Sequence, residues 1–342
     1  MGALPGWGLM FVLAFLAGKV SGLFVIDGKH LLDQAIVAII LSMLMTNLVD
    51  LPSVFKRGIR EFEKVLKTGI VLLGLSLSFI QVLHLGATAI IVVLVCIAVA
   101  PLLIYFIGRR MKLPEKLSVL IGVGTTICGG TAIAVTAPVI NATEEDVSYA
   151  IGTIALFGLM AMFVYPVVGH LLGMSQTAFG VWAGTAIHST PQVVGAGFIY
   201  GNLAGEAATV TKLTRNLFML PVVVSIGIWS AKREMSTAQD AKVQINYLKI
   251  FPLFLFGFIG LAAVRTLMDG FMPISPELWT DATSLIHGAA KFLIIMGLAG
   301  IGLCSRFGEM RKMGYKPVLL GLAASCIIAV LSISLIGWLK IG

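Results

Sequence analysis

Eleven apolar stretches, each near the roughly 20 residues that fill a bilayer core, leave this chain little choice of fold. They run approximately over 8–26, 31–49, 68–83, 86–108, 117–140, 147–171, 178–200, 205–230, 248–269, 282–303 and 317–339. With 58% hydrophobic and 12% charged residues among 342, no soluble domain fits between them. The expectation is an all-α polytopic membrane protein, one transmembrane domain over 1–342 with about eleven spanning segments. The opening MGALPGWG has no basic n-region, so the first segment reads as a retained helix.

Charge placement gives the orientation. Lys56, Arg57, Arg60, Lys64 and Lys67 lie between segments two and three, and Arg109, Arg110, Lys112 and Lys116 between four and five. Lys232, Arg233, Lys242 and Lys249 follow segment eight, and Arg306, Arg311, Lys312 and Lys316 follow segment ten. If every segment crosses once, these loops share a face, which the positive-inside rule makes cytoplasmic. The opposite face then holds Glu144, Glu145 and Asp146, with the N-terminus inside and the C-terminus outside. The net charge of +8 is thereby an orientation signal and calls for no nucleic acid. The stretch VFKRGIREFEKVLK reads either as an amphipathic surface helix or as a solvated connector.

An internal repeat is suggested by KTGIVLLGLSLSF and AKFLIIMGLAGIGL, with halves at about 31–140 and 178–340. The copies are an odd number of crossings apart and would be inverted, as in many transporters.

Two segments, 117–140 and 178–200, look broken, and whether each spans or is re-entrant stays open. Segment five, LSVLIGVGTTICGGTAIAVTAPVI, clusters Gly122, Gly124, Gly129 and Gly130 with Thr125, Thr126 and Thr131 around Cys128. Segment seven carries His188, Ser189, Thr190, Pro191 and Gln192 at its centre, where Thr190 can cap and Pro191 can start a new half-helix. Irregular backbone at membrane depth requires protein or a watery cavity to satisfy it. The competing reading is tight packing by small residues, with hydroxyls bonded to their own turn.

Lys212 and Arg215, three residues apart, share a helix face. At 1.5 Å per residue they lie about 14 and 18 Å into segment eight, and Lys291 is at similar depth in segment ten. The acidic residues sit at segment ends or in loops, so these cations lack carboxylate partners. Intramembrane charges are functional by default. A bound anion is the natural counter-charge, and backbone carbonyls at the breaks are the alternative. His188 could donate to a substrate or relay a proton.

Catalytic and cofactor motifs are missing: there is no HExxH, GxxxxGK[ST] or GxSxG, and Cys96, Cys128, Cys304 and Cys326 show no CxxC spacing. Neither enzymatic activity, a cofactor nor a metal is expected.

The ordered motifs IGVGTTICGGTAIAVTAPVI, IGTIALFGLMAMFVYP, FGVWAGTAIHSTPQVVGAG and KLTR, with GLCSRFGEMRKMGYKPVLLG near the end, resemble the YeiH-like sulfate exporter family. That family name is itself a proposal about substrate. The family is similar to the bile-acid symporter group, with inverted repeats and broken helices. The resemblance implies functional roles for Ile127, Cys128 and Gly129, for His188 and Gln192, and for Lys212 and Arg215. Many relatives carry an acid directly after the histidine, where this chain has Ser189, and Pro191 is also unusual there; this puts ion coupling in doubt.

The resulting expectation is a secondary transporter, in the exporting direction, of a small anion such as sulfate, another oxyanion or an organosulfonate. It would sit in the cytoplasmic membrane among lipid. Its substrate site would draw on Thr125, Thr126, Cys128, Gly129, Gly130, Thr131, His188, Ser189, Thr190, Gln192, Lys212, Arg215 and Lys291. A homodimer and coupling to H+ or Na+ stay open, as do two rivals: a sodium-coupled symporter, and an intramembrane enzyme using His188 with Cys128 or Ser189.

Overall fold

Helices account for nearly all of the architecture, as the apolar pattern demands, and the computed structural model describes residues 2–23, 25–26, 29–30, 34–234, 253–271, 275–305 and 315–341. Lys242, Lys249, Arg306, Arg311 and Lys312, used above for orientation, lie outside the described residues. Six described helical stretches are long and apolar enough to cross a membrane: Leu4–Leu23, Phe79–Arg110, Glu144–Leu171, Asn202–Ser230, Glu277–Cys304 and Tyr315–Trp338. The chain forms two compact units, Met1–His84 with Leu253–Glu309, and Leu85–Pro252 with Met310–Gly342.

The first unit contains α1 (Leu4–Leu23), α2 (Gln34–Leu48), α3 (Ser53–Arg60) and α4 (Phe62–Leu73). A two-residue antiparallel pairing, Val25 opposite His30 and Ile26 opposite Lys29, follows α1. The stretch read as an amphipathic helix or a connector is helical: α3 and α4 bury Ile59, Val65 and Leu66 and expose Lys56, Arg57, Arg60 and Lys64. Helix α5 (Phe79–Arg110) begins in this unit and runs into the second. The remaining helices of the first unit are α13 (Phe254–Phe271) and α14 (Pro276–Cys304), named after the second unit's α6–α12 described below. Glycines set the spacing along α14: a Cβ on Gly297 would meet Leu66 at 2.7 Å, and one on Gly300 would meet Phe62 at 2.2 Å. Membrane helices associate through such small-residue contacts because lipid removes the hydrophobic incentive.

The second unit is organised by two breaks. Segment five divides into α6 (Glu115–Thr126) and α7 (Gly130–Val139), and segment seven into α9 (Gln176–Ala186) and α10 (Thr190–Tyr200). Neither segment runs straight. Lys116, at the start of α6, donates to the Asn141 carbonyl just past α7 at 2.6 Å, whereas a straight helix would separate those positions by about 37 Å. Near the bend, a Cβ on Gly124 would lie 2.8 Å from Ile133. In the same way Gln176, opening α9, accepts at 3.2 Å from the Ala204 amide beyond α10, and Phe179 stacks on Tyr200 with centroids 3.9 Å apart. Both segments are therefore helical hairpins with their ends together, which favours the re-entrant over the spanning reading for each. The acidic turn at Glu144–Asp146 consequently lies at the same end of the unit as Lys116, not the opposite one.

Between the hairpins runs α8 (Glu144–Leu171), started by a capping box in which Thr143 and Asp146 satisfy each other's amides. Its length of about 42 Å joins the base of the first hairpin to that of the second, where Gly169 packs on Phe179 and Tyr200. The hairpins thus enter from opposite ends of α8. Its middle receives both tips: Gly124 and Gly129 approach Ile154, and Gly158 lies against Gln192. The unit is completed by α11 (Asn202–Leu217), α12 (Met219–Glu234) and α15 (Tyr315–Trp338).

Candidate functional site: the paired hairpin tips

At the first tip the chain turns through Ile127–Gly129, and Gly129 has φ +69 and ψ −128, a conformation open to glycine and costly for L side chains. At the second, Ser189 rather than Thr190 is the N-cap. The Ser189 amide donates to Gln192 Oε1 at 3.2 Å, completing a capping box one residue earlier than the sequence suggests. Pro191 then occupies the first helical turn, where its missing N–H costs nothing. Gln192 is also fixed from α8, donating to the Ala155 carbonyl at 3.3 Å.

Lys212 and Arg215 join the two tips. Both are fully buried, at 0% exposure, midway along the Asn202–Ser230 span. Lys212 Nζ donates to the carbonyls of Ile127 (2.7 Å), Ile187 (3.2 Å) and His188. Arg215 donates to Thr125 (2.6 Å), Gly184 (3.2 Å), Ile187 (3.1 Å) and Thr185. All these carbonyls belong to the C-terminal ends of α6 and α9 or the turns after them. Helix C-termini carry about half a negative charge each, so two such ends offset about one of the two positive charges and leave the cluster net positive. Of the two sequence readings for these cations, the hydrogen bonds go to backbone carbonyls.

On the other side of the tips stand two helix N-termini, one from each hairpin. A Cβ on Gly129, the N-cap of α7, would lie 3.3 Å from Ser189 Cβ, the N-cap of α10. The first amides of any helix lack intrahelical partners, and together with the dipole they form a ready anion site. Gly130, Ser189 and Thr190 are partly exposed there, and Thr131 is exposed. Asn216, next to Arg215 and missed in the sequence reading, is buried with Nδ2 at 3.5 Å from Thr190 Oγ1 and Oδ1 unpartnered.

The other expected residues are distributed unevenly. His188 is buried, with Nε2 at 3.2 Å from Ser325 Oγ of α15 and Nδ1 without a partner. Cys128 Sγ lies 3.5 Å from Met219 Sδ. Thr126 bonds its own turn at Gly122 (2.8 Å), as the packing alternative holds, while Thr125 contributes its carbonyl. Lys291 lies on α14 in the first unit, outside this cluster. Ser325 escaped notice because nothing local in an apolar helix marks one serine among others.

The family model described as Conserved hypothetical protein 698 matches residues 5–321. A UPF0324 membrane protein of Clostridium tetani is 33% identical over 337 residues, covering 95% of this chain and 94% of its own. One from Streptococcus pyogenes serotype M18 is 34% identical over 344 residues, covering 99% and 97%. One from Fusobacterium nucleatum is 29% identical over 340 residues, covering 96% and 95%. Their names state a membrane location and no substrate. Matched nearly end to end by these relatives, the chain belongs to the UPF0324 membrane protein family.

Proposed function

We propose that the protein is a secondary carrier of a small anion in the cytoplasmic membrane, with its substrate held between the N-termini of α7 and α10. The observation that carries this reading is the approach of Gly129 to Ser189, which brings two positive helix ends together at the middle of α8. Gly130, Thr131, Ser189 and Thr190 supply donors, and Asn216 adds a buried amide. Lys212 and Arg215 act from behind the tips: their hydrogen bonds go to carbonyls, and their charge raises the potential at the site. Sulfate or another small oxyanion suits such a cluster of amides, and export by alternating access is the transport mode we assign. Two hairpins entering from opposite ends of α8 also favour an inverted relation between them, in place of the pairing of segments three and ten.

Because two crossings drop out together, the parity of the charge argument is unchanged. The basic loops keep the cytoplasmic face, with the N-terminus inside and the C-terminus outside. The enzyme rival has less support, since His188 meets Ser325 and Cys128 meets Met219, so that His188 and Cys128 form no nucleophile–base pair with each other.

The test is a thermal unfolding screen of the purified protein against sulfate, sulfite, sulfonates and carboxylates, followed by uptake of any ligand found into proteoliposomes. A native-state ligand raises the unfolding midpoint. If no anion raises it and none is moved, the reading fails.

A further inference from the structure

Discontinuous membrane helices commonly use the carbonyls at half-helix C-termini to hold a coupling cation. In this protein the corresponding ends are those of α6 and α9, and they converge on two points. One point is ringed by the carbonyls of Ile127, Ile187 and His188, the other by those of Thr125, Gly184 and Thr185, with Ile187 shared. At the first sits the Lys212 ammonium and at the second the Arg215 guanidinium. Lys212 meets three acceptors, the number of N–H donors that an ammonium carries, and a guanidinium stays charged in any protein.

We infer that Lys212 and Arg215 are tethered cations filling a two-cation cradle, holding the hairpin tips together permanently as a dissociable sodium ion would do transiently. Each takes carbonyls from both hairpins: Lys212 links Ile127 to Ile187 and His188, and Arg215 links Thr125 to Gly184, Thr185 and Ile187. The cradle is therefore assembled without any ion from solution. Its consequence for coupling rests on the carrier reading above: the cycle takes no sodium ion at this place, and the energy for transport comes from the anion gradient or from protons elsewhere.

The experiment reads stability first, so that it stands apart from the search for a substrate. The full chain and its Arg215→Ala variant are purified in choline chloride, and unfolding midpoints are measured with added millimolar guanidinium, sodium or tetramethylammonium. The variant leaves a buried space shaped by the lost side chain. Guanidinium should raise its midpoint by several degrees, tetramethylammonium should not, and the unaltered protein should show the same midpoint in sodium as in choline. If Arg215→Ala cannot be purified, Lys212→Ala carries the same comparison with ammonium in place of guanidinium. Sodium-dependent stability of the unaltered protein overturns the inference, and so does a folded variant that responds equally to all cations or to none. An anion-dependent shift of the unaltered protein would survive either result, so failure here and failure of the carrier reading are separable.

Discussion

Lys116 and Asn141, 25 positions apart, are joined by a 2.6 Å hydrogen bond that closes the base of a hairpin. Accessibility follows from that closure. In a background lacking the four native cysteines, Lys112→Cys and Glu144→Cys should react with an impermeant thiol reagent from one side of the membrane. Met174→Cys and Asn202→Cys should react from the other. Labelling of either pair from opposite sides would rule the hairpin out.

Gly129 has φ +69, and its Cβ position is 3.3 Å from Ser189. Gly129→Ala should lose at least the ~1–2 kcal/mol that a left-handed backbone costs an L residue. It should also weaken any anion-dependent rise in unfolding midpoint, because the added methyl sits between the two helix N-termini. Thermal unfolding with and without ligand measures both; unchanged values would remove the close approach from the argument.

Lys212 and Lys291 look alike in sequence, both deep in apolar segments. Lys212→Met strands the carbonyls of Ile127 and His188 and leaves Ile187 to Arg215 alone. Each buried acceptor left without a donor costs about 1–3 kcal/mol, so a loss of several kcal/mol is expected. Lys291→Met, on a partly exposed face of α14, should cost less and leave anion binding unchanged. Denaturant titration of the two variants decides, and equal effects would contradict the placement.

Gly158 has no room for a side chain, since a Cβ there would lie 1.9 Å from Gln192 Oε1. Gly158→Ala should destabilise by about 1–3 kcal/mol through overpacking. Gln192→Ala should cost about 1 kcal/mol through the lost cap. Because truncating Gln192 makes room for the methyl, the double variant should be more stable than the sum of the singles predicts. Additive losses in unfolding experiments would show that the two positions do not meet.

What could be read from the sequence was the presence of breaks, not their direction. Glycines at 122, 124, 129 and 130, and the polar run from His188 to Gln192, marked irregular backbone because only those residue types tolerate it. Some 24 apolar residues fill either one crossing of about 36 Å or two half-crossings of about 18 Å, so length alone could not separate a span from a hairpin. The depth of Lys212 and Arg215 was also legible, from position along an apolar helix. Their partners were not, because a carbonyl carries no residue identity and leaves no mark in a sequence. The same holds for Asn216, which gains meaning only once Thr190 is seen beside it.

Helix α8 touches the first tip at Ile154 and the second at Gly158, about one turn apart, while its two ends adjoin the two hairpin bases. A rod gripped at its midpoint behaves as a seesaw. Tilting α8 carries the hairpin bases in opposite senses, toward the axis on one side and away on the other, while the tips near the fulcrum travel least.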